Sequence, residues 1–181
     1  MSKQKIQIVF TGAQGTGKTT LVNELAKDGI KTLSIAREQA KNTGWTSDTP
    51  GTVEYQKELY NNLYKAISSK KSFLSDRALS CVAAYTFMHA LNNPDDKKLK
   101  KLADSQYEKF CKFHNDNQNV IIVYTPIEFP VENDGLRSIN EKERTTIDFL
   151  IKNILDTTGA DYITVTGTVE ERLAQIKENL K

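Results

Sequence analysis

The spacing of apolar residues changes several times along the chain, and each change marks an element. Residues 5–10 (Lys-Ile-Gln-Ile-Val-Phe) read as a buried strand and 20–27 (Thr-Leu-Val-Asn-Glu-Leu-Ala-Lys) as a helix. A short strand is expected at 31–35, with polar residues 36–41 at its carboxyl end and a turn-rich stretch from 42 to 51. From 52 to 69, apolar residues recur at Leu59, Leu63 and Ile67 beside Tyr60 and Tyr64, the pattern of an amphipathic helix, so Tyr55, Tyr60 and Tyr64 are expected to pack. Residues 71–77 read as a strand ending in Asp76-Arg77, followed by a helix over 78–91 and a charged helix over 95–116. The run Val120-Ile121-Ile122-Val123-Tyr124 is apolar throughout, as strands inside parallel sheets are. Two prolines and a glycine make 125–137 a loop, and Ser138-Ile139-Asn140-Glu141 looks like a capping box opening a helix through Ile147, Ile151 and Leu155. A fifth strand at 161–165 ends at Thr166-Gly167, and Thr168-Val169-Glu170-Glu171 is a second capping box.

Between the first strand and the first helix stands Gly12-Ala13-Gln14-Gly15-Thr16-Gly17-Lys18-Thr19, which fills every fixed position of the phosphate-binding pattern G-x-x-x-x-G-K-(S/T). Small residues let the backbone curl until its N–H groups face a phosphate, and the following helix adds the positive end of its dipole. Lys18 can then reach the outer phosphates of ATP and the Thr19 hydroxyl can ligate Mg2+. Thr20 is counted with the loop without a role of its own. The motif points to nucleotide binding and leaves the reaction open.

Length and charge narrow the partners. A chain of 181 residues suits one domain, 1–181, with one well-buried core. A net charge of +2 spread along the chain makes no electrostatic case for nucleic acid, and Lys97-Lys98-Leu99-Lys100-Lys101 reads as a solvated helix face. Cys81 and Cys111 are far apart and lack C-x-x-C spacing, so both are expected to be buried thiols in a reducing compartment. With no apolar run of membrane length and no signal-peptide core, a cytoplasmic location without a membrane partner is expected. A homodimer is a candidate assembly that the sequence leaves open.

Several residues outside the loop carry candidate chemistry. Arg37, with Glu38 beside it, lies past the second strand, where open α/β sheets bind ligands; it either contacts a second substrate or is a surface arginine opening a helix. Trp45 could stack on a base or cover the edge of the core. Asp76, at a strand end beside the phosphate loop, could hold the Mg2+ hydration shell or take a proton, and Arg77 could pair with a phosphate; the alternative is a salt-bridged turn. Arg137 and Arg144, two turns apart, could close over transferring phosphates as part of a lid spanning about 126–145, or Arg144 could pair with Glu141 or Asp148. Gly167 permits close approach of adenine. The guanine-reading N-K-x-D of regulatory GTPases is absent from the sequence.

Two segments resemble known families. Asp76-Arg77-Ala78-Leu79-Ser80-Cys81-Val82-Ala83-Ala84-Tyr85 resembles the thymidylate kinase pattern D-R-Y-x-x-S-x-x-A-Y/F, and Arg37-Glu38 resembles that family's R-E-P, with Gln39 replacing the proline and Ala78 the tyrosine. Asp134-Gly135-Leu136-Arg137, with Arg144 and the closing segment 166–173, resembles the ribosylnicotinamide kinase-like AAA family. These resemblances imply a P-loop kinase of nucleosides or nucleotides, with Arg37, Arg77, Asp76 and Tyr85 on the acceptor side and Arg137 in the lid. The expected fold is a three-layer P-loop NTPase fold, α/β, with a five-stranded parallel sheet of order 2-3-1-4-5 and helices on both faces. The expected reaction is ATP-dependent phosphorylation of a nucleoside monophosphate, against a nucleoside or ribosylnicotinamide, a hydrolytic switch, or a kinase acting on DNA.

Overall fold

A computed structural model describes residues 5–43, 52–69, 71–130 and 140–180. Five parallel strands, β1 (Gln7–Thr11), β2 (Thr32–Leu33), β3 (Phe73–Ser75), β4 (Ile121–Tyr124) and β5 (Tyr162–Thr164), form one sheet in the expected order β2-β3-β1-β4-β5. The central strand β1 pairs Ile8 with Leu74 on β3 and with Ile121 on β4. Because side chains alternate across a strand, Ile8, Phe10, Leu74 and Val123 enter one apolar cluster and Val9, Phe73, Ile122 and Tyr124 the other. The first cluster is closed by Leu21, Val22 and Leu25 of α1 (Lys18–Ala26) and Ile176 of α7 (Val169–Glu178). The second is closed by α3 (Val53–Ile67), α4 (Leu79–Asn92), α5 (Lys97–Asp116) and α6 (Glu141–Thr158). No helix of the described residues is long and apolar enough to cross a membrane.

Four expectations are corrected. The second strand stops at Leu33, and residues that alternate as if continuing it form a helix, α2 (Ile35–Thr43), whose first-turn amides at Arg37 and Glu38 bond back to the Ser34 carbonyl. Ala36, Glu38, Gln39, Ala40 and Lys41 favour a helix individually, and five residues are too few for period 2 to be told from period 3.6. The third strand occupies only Phe73–Ser75 of the expected 71–77. Helix α6 is capped by Asn140, whose side chain accepts from the Lys142 and Glu143 amides, while Ser138 lies outside the described residues. Cys111 is half-buried, Cys81 fully. The capping box at Thr168 and Glu171 is present as expected.

Candidate active site

The carboxyl ends of β1, β3 and β4 converge on the loop from Gly12 to Thr19. Gly12 has φ 143°, and a Cβ there would stand 2.4 Å from the Thr125 carbonyl oxygen, so only glycine lets the loop leave β1 against β4. Behind it runs a buried set of hydroxyl contacts. Thr125 Oγ1 donates to the Thr11 carbonyl (3.1 Å) and lies 2.8 Å from Thr16 Oγ1, and Thr11 Oγ1 lies 3.1 Å from Ser80 Oγ.

A phosphate nest requires the loop's carbonyls to turn away so that its amides can face the anion. Three carbonyls are held in that way. Ala13 O accepts from Thr16 Oγ1 (3.0 Å) and from Lys18 Nζ. Gln14 O accepts from Arg144 Nε at 3.0 Å, and Thr16 O accepts from Arg172 Nη1 at 2.8 Å. Arg144 and Arg172 are 1% and 3% exposed, and each is the fourth residue of its helix, where the helix dipole disfavours a cation. Both are compensated locally. Arg144 pairs with Glu141 at 3.2 Å and donates from Nη2 to the Phe129 carbonyl at 2.9 Å. Arg172 pairs with Glu128 and donates from Nε to the Gly167 carbonyl at 2.9 Å. Of the two readings of Arg144, the alternative pairing with Glu141 is therefore present, and its Nε and Nη2 donate to backbone carbonyls.

The acceptor-side candidates meet at the other end of the loop. Arg37, on the first turn of α2, donates from Nη2 to Thr19 Oγ1 at 3.0 Å and places Nε 3.8 Å from Asp76 Oδ2. Its guanidinium thus spans the two candidate magnesium ligands. Asp76 is 9% exposed in its side chain, and its Oδ1 is buried without a hydrogen-bond partner among the described residues. Burial pushes the Asp76 carboxyl up, opposed by Arg77, Arg37 and Lys18. A buried, unsatisfied carboxylate oxygen and a threonine hydroxyl reached by the same guanidinium are hard oxygen donors of the kind that fit Mg2+. Arg77 stacks over the Tyr85 ring at 5.2 Å with Nη1 3.5 Å from Cys81 Sγ, and the Tyr85 hydroxyl donates to Gln14 Oε1 at 2.8 Å. Glu38 and Thr20 are exposed on α2 and α1.

Gly15 and Gly17 take the positive φ angles the loop needs, 68° and 86°. Gly167 donates its amide to Glu128 and so sits beside Arg172 and the phosphate loop. Trp45 and Arg137 lie outside the described residues.

Sequence reasoning gave no role to Thr125, Glu128, Phe129 or Arg172, and offered Asp148 only as a partner for Arg144. Asp148, on α6, accepts from the Tyr124 hydroxyl at 2.9 Å; burial pushes its carboxyl up, opposed by Tyr124, the Ala13 amide, Lys18 and Arg144. The signal that could have found Arg172 is an arginine on the apolar face of a short helix, aligned with Val169, Leu173 and Ile176 at its positive end.

A family model described as an AAA domain matches residues 7–172. A curated relative, the probable GTP-binding protein EngB of Mycoplasmopsis synoviae (strain 53), is 24% identical over 190 residues, covering 96% of this chain and 87% of that protein. The fold is similar to deoxyadenosine kinase from M. mycoides with dCMP and a flexible dCDP bound (TM-score 0.63, 17% identity, 97% of this chain and 98% of that one). It is also similar to NadR protein in complex with NR (TM-score 0.71, 17% identity, 96% of this chain), of which it spans 51% of the length. The match over residues 7–172 places this chain, with its P-loop kinase fold, in the AAA domain family.

Proposed function

We propose that the chain is an ATP-dependent phosphotransferase whose acceptor is a nucleotide, best a (deoxy)nucleoside monophosphate. The observation that carries this reading is the Arg37 guanidinium reaching both Thr19 and Asp76. A cation on an acceptor-side helix that meets the first helical turn of the phosphate loop stands where two phosphoryl groups would be brought together. Arg77 follows Asp76 directly in the chain, and is the second guanidinium for an acceptor that already carries a phosphate. The thymidylate kinase-like Asp76-Arg77 segment supports the same choice.

In the proposed reaction an oxygen of the acceptor forms a bond to the γ-phosphorus of ATP as the bond to the β,γ-bridging oxygen breaks, and ADP leaves with that electron pair. A phosphate oxygen attacks as the anion it already is; a nucleoside hydroxyl would deliver its proton to Asp76. Lys18 and the loop amides hold the donor's phosphates, Arg37 and Arg77 orient the acceptor, and Arg144 and Arg172 keep the nest in shape without touching substrate. Mg2+, held by Thr19 and Asp76, would supply charge neutralisation on the β- and γ-phosphates. Arg137 and the segment around it are proposed to cover the site.

A second reading follows from the curated relative described as a probable GTP-binding protein: a hydrolytic switch. The missing N-K-x-D sequence stands against it. The test is nucleotide consumption with magnesium across nucleosides, nucleoside monophosphates and ribosylnicotinamide, each product weighed by mass spectrometry. One added phosphate on a monophosphate supports the proposal; hydrolysis at the same rate with every acceptor and with none supports the switch.

A further inference from the structure

Beside the phosphate loop lies a surface that the proposed reaction has not used. Of the four exposed large hydrophobics among the described residues, Tyr64, Leu91 and Phe149 sit on α3, α4 and α6. The fourth, Phe129, is 43% exposed, and its Cζ lies 3.9 Å from where a Cβ on Gly17 would stand. One side of its ring faces the Arg172 guanidinium, 5.5 Å from the centroid. Arg172 in turn is fixed by the Thr16 and Gly167 carbonyls and by Glu128. An aromatic ring is therefore clamped next to the start of α1 with part of its surface left to solvent, within reach of a nucleoside whose phosphates fill the loop.

The turn that shares this place offers little to read a base with. The Thr166 amide donates to Gln175 Oε1 and its carbonyl accepts from Gln175 Nε2. The Gly167 amide donates to Glu128 and its carbonyl accepts from Arg172 Nε. The Thr168 amide donates to Glu171. Five consecutive main-chain groups that could have met a base edge are satisfied by side chains of the protein.

We infer that Phe129 forms a stacking platform for the base of the donor nucleotide, and that the platform holds purine and pyrimidine triphosphates alike because the three main-chain amides of residues 166–168 all donate to side chains of the protein and none is left to donate to the base edge. Every base has a π-face, so stacking tolerates sequence, whereas strong discrimination needs polar groups that are left unpaired by the wrong ligand. This inference rests on the reading of the chain as a nucleoside-triphosphate-dependent phosphotransferase; ATP would then be the donor through its abundance and not through recognition of adenine.

The test is a direct binding titration of the whole chain with magnesium complexes of ATP, GTP, CTP and inorganic tripolyphosphate, on the wild type and on Phe129→Ala, Phe129→Leu and Phe129→Tyr. The inference expects the three nucleotides to bind the wild type within about tenfold of one another, where site-built readout would separate them far more. Phe129→Ala and Phe129→Leu weaken all three about tenfold, the scale of one lost stack, while tripolyphosphate binding is unchanged and Phe129→Tyr binds as the wild type does. Leucine keeps an apolar cover over Arg172, so a loss in that variant with a normal melting curve is a loss of stacking. A hundredfold preference for one base overturns the inference, as does unchanged nucleotide affinity in both Phe129→Ala and Phe129→Leu. Failure of the wild type to bind any nucleotide or tripolyphosphate would instead overturn the reading beneath it.

Discussion

Among the described residues four arginines surround the phosphate loop, and they divide into two kinds. On the donor side Arg144 and Arg172 are buried to 1% and 3% exposure and bond to backbone carbonyls of the loop and its neighbours. On the acceptor side Arg37 has 52% of its side chain exposed and contacts only side-chain oxygens, and Arg77 rests on a tyrosine ring and a thiol. A carbonyl is fixed by the chain, so the donor side is held rigid before any ligand arrives. Side-chain contacts can be exchanged for those of a ligand at small cost, so the acceptor side can re-form around its substrate. In the proposed function the difference gives shape to one pair and recognition to the other.

The strongest test of the rigid side is Gly12→Ala. The added methyl group meets Thr125 backbone at 2.4 Å on a residue with φ 143°, and nucleotide binding measured by titration is expected to disappear. Next comes Asp76→Asn, which should lower kcat by about a hundredfold or more and weaken binding of the magnesium nucleotide, because a proposed Mg2+ ligand loses its charge. Its stability signature has a definite sign. The folded-state pKa of Asp76 lies above the ordinary 3.8, so the ionised carboxylate costs stability, and that cost grows as pH rises from 3.8 through the folded-state value. Asp76→Asn should therefore melt no lower than the wild type at pH 7, with the difference closing as pH falls to 3.8.

Arg172→Met sharpens the comparison because it removes a group that touches no substrate. It should cost about 2 kcal/mol of unfolding free energy in denaturant, because the buried Thr16 carbonyl loses its donor, and weaken nucleotide binding as that carbonyl is released. Arg37→Ala should move stability least, by about 0.5 kcal/mol or less for a half-exposed pair, and should raise the acceptor KM without weakening ATP. If Arg37→Ala destabilised the fold as much as Arg172→Met, the division between the two sides would fail.

The donor loop was legible because its constraints are local: eight consecutive residues between an apolar strand and a helix define the nest. The sheet order followed from strands alternating with helices around that motif. The contacts that hold the loop open were not legible, because Arg144 and Arg172 lie 130 and 156 residues from the carbonyls they bind. Arg144 was noticed for its charge and expected over the phosphates; its Nε bond to Gln14 turns it toward the loop backbone. Helix α2 was offered only as the alternative reading of Arg37, because Leu33 and Ile35 alternate like a strand, and the manner in which Arg37 reaches Thr19 was not legible. Asp76 and Arg77 were found because an acid and a base at a strand end are conspicuous, whereas the Tyr85 ring beneath Arg77 depends on the helical spacing of α4.

The central claim, that Arg37 and Arg77 recognise an acceptor phosphate, is tested most directly with matched acceptors. A deoxynucleoside and its 5′-monophosphate are each incubated with the protein, magnesium and ATP, and the products are weighed by mass spectrometry. The account predicts conversion of the monophosphate to the diphosphate at a rate well above that of the free nucleoside. Faster phosphorylation of the nucleoside, or ATP hydrolysis that neither compound alters, would contradict it.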